Sequence, residues 1–138
     1  MSGQNHSLKM TSGLSKEVED TAWGIVDACY QVHTELGPGL LESVYEECLC
    51  LALTNKGLSV DRQLVVPIVF QGEEIKTRLR IDLLVNRIVV VEIKAVEKMQ
   101  PLYQAQLMTY MKLTQTRLGI LVNFNVLRIK DGIKRVIV

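Results

Sequence analysis

No stretch of this 138-residue chain approaches the ~18 consecutive apolar residues that a membrane span requires. Its first residues, MSGQNHSLKMTSG, lack the apolar segment of a secretion signal. Charge of one sign is not in excess either. Sixteen Lys and Arg against fifteen Asp and Glu leave a net charge of +1, so the total gives no bulk attraction to nucleic acid or to an acidic membrane. Cysteine is limited to Cys29, Cys48 and Cys50, which cannot all pair within one chain. Each sits among apolar neighbours, which points to buried thiols in a reducing, cytoplasmic setting. Cys48 and Cys50 are two apart on an expected helix, so they diverge and make no zinc site with the two histidines. Also missing are a GxxxxGK[ST] phosphate loop, a GxGxxG turn after a strand and a GxSxG elbow. There is no internal repeat and no low-complexity segment.

What is present is the composition of one globular domain, with 48% hydrophobic and 22% charged residues. The charge is unevenly placed. Residues 98–138 carry seven bases and one acid, a net +6, whereas residues 1–97 carry nine bases and fourteen acids, a net −5. A metal-dependent enzyme acting on a polyanion needs both kinds of surface; a chance distribution of solvated charge gives the same count.

Residues 1–14 read as a flexible tail, with a single domain over 15–138. Ser15 can cap a helix over roughly 15–36, whose apolar stripe is Val18, Ala22, Ile25, Cys29, Val32 and Leu36. Gly37-Pro38-Gly39 ends it, and a second helix runs from about Leu40 to Lys56. The period then changes. Leu58 to Phe70 reads as a strand in which Pro67 marks an edge or a bulge, Gln71 to Glu74 as a turn, and Ile75 to Val85 as a second strand. After the short turn Asn86-Arg87, Ile88 to Val96 reads as a third strand, its Ile-Val-Val-Val run suited to a central position buried on both faces. Pro101 can open a helix to about Gln115, Leu118 to Phe124 is another strand, and Asp131-Gly132 is a hairpin signal between Val126–Lys130 and Ile133–Val138. The order ααβββαβββ implies an α/β sandwich: a mixed sheet covered by helices.

The chemistry concentrates in the second and third strands. Glu92 and Lys94 lie two apart, on one face of an apolar strand. Either they pair in solvent at a strand end, or they are buried for a reason, since buried charge is costly unless paired or metal-bound. Asp82 interrupts the preceding apolar run, and counting back from Asn86-Arg87 brings it near Glu92 across neighbouring strands. Two carboxylates so placed need a cation or a proton. Oxygen ligands suit Mg²⁺ or Mn²⁺, and an ammonium beside the ion can help activate a water, a set complete for phosphodiester hydrolysis. Gln106 and Tyr110 share a helix face, which is either an ordinary half-buried face or a polar contribution to the same end of the sheet. Glu42 falls in a first helical turn, where the dipole favours a carboxylate regardless of function. Glu46 and Glu47 read as solvated, and His33 as a structural histidine or a substrate contact.

Gly39-Leu-Leu-Glu42-Ser-Val-Tyr45 matches the spacing that names the GxxExxY protein family. The stretch His33 to Leu49 resembles that family, as do Asp82–Val85, Glu92–Val96, Gln106–Tyr110, Leu118–Phe124 and Gly132–Arg135. The family is placed in the PD-(D/E)xK nuclease superfamily. The resemblance implies a restriction-endonuclease-like αβββαβ core and a Mg²⁺- or Mn²⁺-dependent nuclease. Asp82, Glu92 and Lys94 would be its catalytic motif and Glu42 its additional acid, with the Ile93 carbonyl as a further metal ligand. Gln106 and Tyr110 match a QxxxY motif that supports the site, with Tyr45 and His33 as further supporting or substrate-touching residues. The implied partner is nucleic acid, DNA before RNA, with homodimerisation as a way for so small a chain to hold a duplex. On the displayed hairpin, Arg128, Lys130, Lys134 and Arg135 would grip the phosphates. A non-catalytic nucleic-acid-binding or assembly protein that keeps the fold is the alternative.

Overall fold

A computed structural model describes residues 12–138. Among the described residues, two long helices precede the strands: α1 (Lys16–Leu36) and α2 (Glu42–Asn55). Ser15 caps α1, its hydroxyl accepting from the Val18 N–H at 3.2 Å. Gly37, at φ +69°, ends it in a conformation that favours glycine. The strands are β1 (Val60–Val66), β2 (Val69–Phe70), β3 (Glu73–Glu74), β4 (Leu79–Val85), β5 (Val89–Lys94), β6 (Leu118–Asn123) and β7 (Ile133–Ile137), with α3 (Pro101–Thr114) between β5 and β6.

Five strands form one sheet in the order β1-β4-β5-β6-β7, and β2 and β3 form a separate two-stranded arm. Among the described residues only β5 and β6 pair in parallel, which requires the α3 crossover. The sheet is therefore mixed and flanked by helices, in keeping with a restriction-endonuclease-like architecture. β5 is central and buried along almost its whole length, as its unbroken apolar run implied. α1 and α2 cover one face, packing Ile25, Cys29, Tyr45, Leu49 and Leu53 onto Leu83, Val91, Ile93 and Ile120. α3 covers the other, with Leu107, Tyr110 and Met111 over Ile81, Val90 and Leu121. Gly119 lets α3 approach β6 closely: a Cβ there would lie 2.6 Å from Met111 Sδ.

Three expectations need correction. The single strand expected over Leu58–Phe70 stops at Val66, and β4 starts at Leu79 rather than Ile75; the residues between fold into the arm, closed by Gln71 and Gly72 at positive φ. Pro67 cannot donate to a ladder, and β1 ends before it at the sheet edge. Val126–Lys130 is not a strand. Asp131-Gly132 closes a 3₁₀ turn over Ile129–Asp131, and β7 pairs with β6 instead. A two-residue hairpin turn built on Asp-Gly needs the glycine at positive φ, whereas Gly132 has φ −101°. This glycine serves a close approach, since a Cβ on it would stand 2.1 Å from the Asn123 carbonyl oxygen. The tail expected over 1–14 lies almost wholly outside the described residues, and its last member, Leu14, is buried in the core.

Candidate active site

β4 and β5 are joined by a two-residue turn in which Asn86 and Arg87 have φ of +51° and +61°. From it the ladder runs Val85–Val89, Leu84–Val90, Leu83–Val91. One step further, the same register sets Asp82 opposite Glu92, and here side chains join the strands. The Asp82 N–H donates to Glu92 Oε2 at 2.9 Å, and the Ile93 N–H donates to Asp82 Oδ2 at 2.8 Å. Each acid has one oxygen bound to backbone of the opposite strand, and Glu92 is 5% exposed.

Such burial makes the charged forms costly. Glu92 is pushed up from 4.5 to about 8, first by desolvation and then by the charge of Asp82. Asp82 rises from 3.8 to about 6, again mainly by desolvation, with the charges of Glu46 and Glu42 adding to it. The Lys94 ammonium opposes both shifts. It sits 4.5 Å from the centroid of the Tyr103 ring, so α3 seats it by a cation–π contact. Tyr110, one turn beyond the half-buried Gln106, is nearly buried. Its hydroxyl is pushed up by desolvation and then by the charges of Glu92 and Asp82.

Glu42 stands off. It is exposed in the first turn of α2, and the residues that this helix buries begin at Tyr45, three positions on. Among the described residues no three His, Cys, Asp or Glu side chains are close enough to hold a metal together. The structure brings two of the three expected acids into contact, and the third acts on them through its charge alone.

Tyr45 and His33 spend their polar atoms on the framework. The Tyr45 hydroxyl donates to the Gly37 carbonyl at 2.6 Å and accepts from the Leu40 N–H at 3.1 Å, and its ring stacks on Phe124 at 4.6 Å. His33 Nε2 lies 2.7 Å from the Val126 carbonyl oxygen, tying α1 to the segment before β7. The basic group is dispersed as well. Arg135 is paired with Glu19 at 3.0 Å, and Arg128 caps the 3₁₀ turn while Lys130 lies within it, so the two do not share a strand face. Lys134, on β7, is exposed.

Three site residues escaped the sequence reading. Glu46 is buried rather than solvated, because Arg62 Nε donates to its Oε2 at 2.8 Å and Gln63 Nε2 to its Oε1 at 2.7 Å. Gln63 Nε2 also lies 3.4 Å from Asp82 Oδ1. The signal was the polar run Asp61-Arg62-Gln63 inside an apolar strand. Tyr103, seven residues before Tyr110, shares its helix face.

The profile of the PD-(D/E)XK nuclease superfamily matches residues 19–136. The chain belongs to that superfamily. No curated protein and no solved structure matches it. Superfamily membership carries a nuclease fold, with nucleic acid as the usual substrate and divalent metal as the usual cofactor. No helix among the described residues is long and apolar enough to cross a membrane.

The donor set fits such a cofactor. It is all oxygen, which suits a hard divalent cation. Its two carboxylates are held together at a cost that a cation would remove. Bonding to backbone leaves Glu92 Oε1, and Asp82 Oδ1 apart from Gln63, available as ligands.

Proposed function

We propose that the chain is a Mg²⁺- or Mn²⁺-dependent nuclease of the GxxExxY branch that hydrolyses phosphodiester bonds in DNA. The observation that carries this reading is the reciprocal bonding of Asp82 and Glu92 across β4 and β5, with Lys94 seated beside them. Asp82, Glu92 and the Ile93 carbonyl would hold the cation, with Glu42 adding negative charge from α2. A bound divalent ion would polarise the phosphate and lower the pKa of a coordinated water. The Lys94 ammonium offsets charge that develops on the phosphoryl oxygens and orients the attacking water. Tyr103 keeps that ammonium in place, and Tyr110 and Gln106 close the α3 side. Arg128, Lys130 and Lys134 contribute phosphate contacts from outside the site. Two copies together would offer one centre to each strand of a duplex. The free thiols of Cys29, Cys48 and Cys50 favour a cytoplasmic setting.

The second reading is a nucleic-acid-binding module without turnover, favoured by the stand-off of Glu42. A matrix of substrates against metals separates the two. Linear duplex, circular plasmid, single-stranded DNA and RNA are each incubated with Mg²⁺, Mn²⁺ or chelator. Cleavage of a DNA substrate that needs the metal supports the nuclease. Metal-dependent binding with no cleavage in any lane supports the module.

A further inference from the structure

Gln63 has φ +51° inside β1, a left-handed backbone that is uncommon for a residue with a side chain and out of place in a strand. Pairing with β4 continues on both sides of it, Arg62 with Leu83 and Leu64 with Ile81, so no residue has been inserted. What changes is the face. In a regular strand Val60, Leu64 and Val66 would share one. Here Val60 packs under α1 and α2, whereas Leu64 and Val66 pack under α3. β4 makes the same switch around Asp82: Ile81 packs under α3, and Leu83 and Val85 under α1 and α2. Backbone strain of this kind persists where the surroundings over-determine it, and such places cluster at functional sites.

The strained residue delivers an amide to one place. Gln63 Nε2 is shared between Glu46 Oε1 at 2.7 Å and Asp82 Oδ1 at 3.4 Å. Arg62 holds the other Glu46 oxygen. Asp82 Oδ2 is fixed by the Ile93 N–H, which leaves Oδ1 to Gln63 and to any cation. The bridge Arg62–Glu46–Gln63–Asp82 thus joins α2, the helix of Glu42, to β4.

We propose that Gln63 is a positioning residue: it orients the Asp82 carboxylate and, through Glu46, fixes α2 relative to β4. The inference rests on the reading that Asp82 and Glu92 hold a divalent cation. Outer partners of ligating carboxylates set ligand orientation, and their loss typically costs 10–100-fold in metal affinity or activity.

The test compares Gln63→Gly, Gln63→Asn and Asp82→Asn with wild type by melting without metal, Mn²⁺ titration calorimetry and DNA cleavage. Glycine adopts φ +51° without strain, which offsets the loss of the amide's bond to Glu46, so Gln63→Gly should melt close to the wild-type temperature. It should nevertheless bind Mn²⁺ about 10–100-fold more weakly and lose kcat by a similar factor, with KM little changed. Asparagine tolerates the backbone but its amide falls one methylene short, so Gln63→Asn should show the same loss and keeps the test valid should the glycine variant fold poorly. A residue that served only the fold would instead lose activity in step with melting temperature. Wild-type Mn²⁺ affinity and kcat in both Gln63 variants, with Asp82→Asn losing both, would overturn the role of Gln63 and leave the cation site standing. Unchanged Mn²⁺ affinity in Asp82→Asn would overturn the cation site, and Gln63 with it.

Discussion

The β4–β5 hairpin has two ends built on opposite rules. At the turn, Leu83, Leu84, Val85, Val89, Val90 and Val91 pair through backbone and bury only apolar side chains. One residue further from the turn, Asp82 and Glu92 join the strands through carboxylates, and burial raises both acids. The strands and the covering helices are shared, so the contrast lies in the side chains. The apolar end supplies stability; the acidic end consumes some of it to keep two like charges together. That is the arrangement expected of a cation site, where cost in the empty state becomes affinity when the ion binds.

The strongest way to break the comparison is to make the acidic end neutral. Asp82→Asn and Glu92→Gln should each lower metal-dependent cleavage about a thousandfold or more and weaken Mn²⁺ binding, with circular dichroism unchanged. Wild-type turnover in both would move the chemistry elsewhere. Damage at the other end should have the converse signature. Leu84→Ala removes a side chain that is 5% exposed and packs under α3, and should cost about 2–5 kcal/mol in chemical denaturation. Turnover per folded molecule should stay near wild type; a drop as large as that of the acid variants would mean that the two ends are not separable. The smallest effect belongs to the dispersed bases. Replacing Arg128 and Lys130 together by Gln should lower the salt slope of duplex binding by at most about 1.8, at about 0.9 per phosphate contact, and leave Mn²⁺ affinity alone. Superimposable salt titrations would remove both from the binding surface.

The apolar end was the legible one. Periodicity and the Asn86-Arg87 turn place β4 and β5, and the Val-rich run places β5 at the centre of the sheet. The approach of Asp82 to Glu92 also follows from counting back along the hairpin, because antiparallel register carries local spacing into space. What could not be read depended on contacts between distant segments. Glu46 resembles a solvated helix residue until Arg62 and Gln63, 16 and 17 positions away, claim both its oxygens. Nothing local marks Gln63 for a left-handed backbone. Tyr103 becomes the seat of Lys94 only once α3 has crossed over the sheet. Asp131-Gly132 misled because a glycine can answer a close approach as well as a turn, and the carbonyl it accommodates belongs to Asn123 at the end of β6.

The central claim concerns the cost of holding Asp82 and Glu92 together without a cation, and melting temperature against pH measures it directly. Asp82 and Glu92 hold their protons more tightly in the folded chain, to about 6 and about 8, than at their ordinary 3.8 and 4.5. Between those values the folded state binds more protons than the unfolded one, so stability contributed by the protonated acids is fully present below pH ~4 and is lost as pH rises through 8. Without metal, the melting temperature of wild type should fall from pH 5 to pH 8 more steeply than that of Glu92→Gln. Millimolar Mn²⁺ should restore it at pH 8 in wild type and not in the variant. Parallel curves for the two proteins, or an equal Mn²⁺ shift in both, would contradict the account.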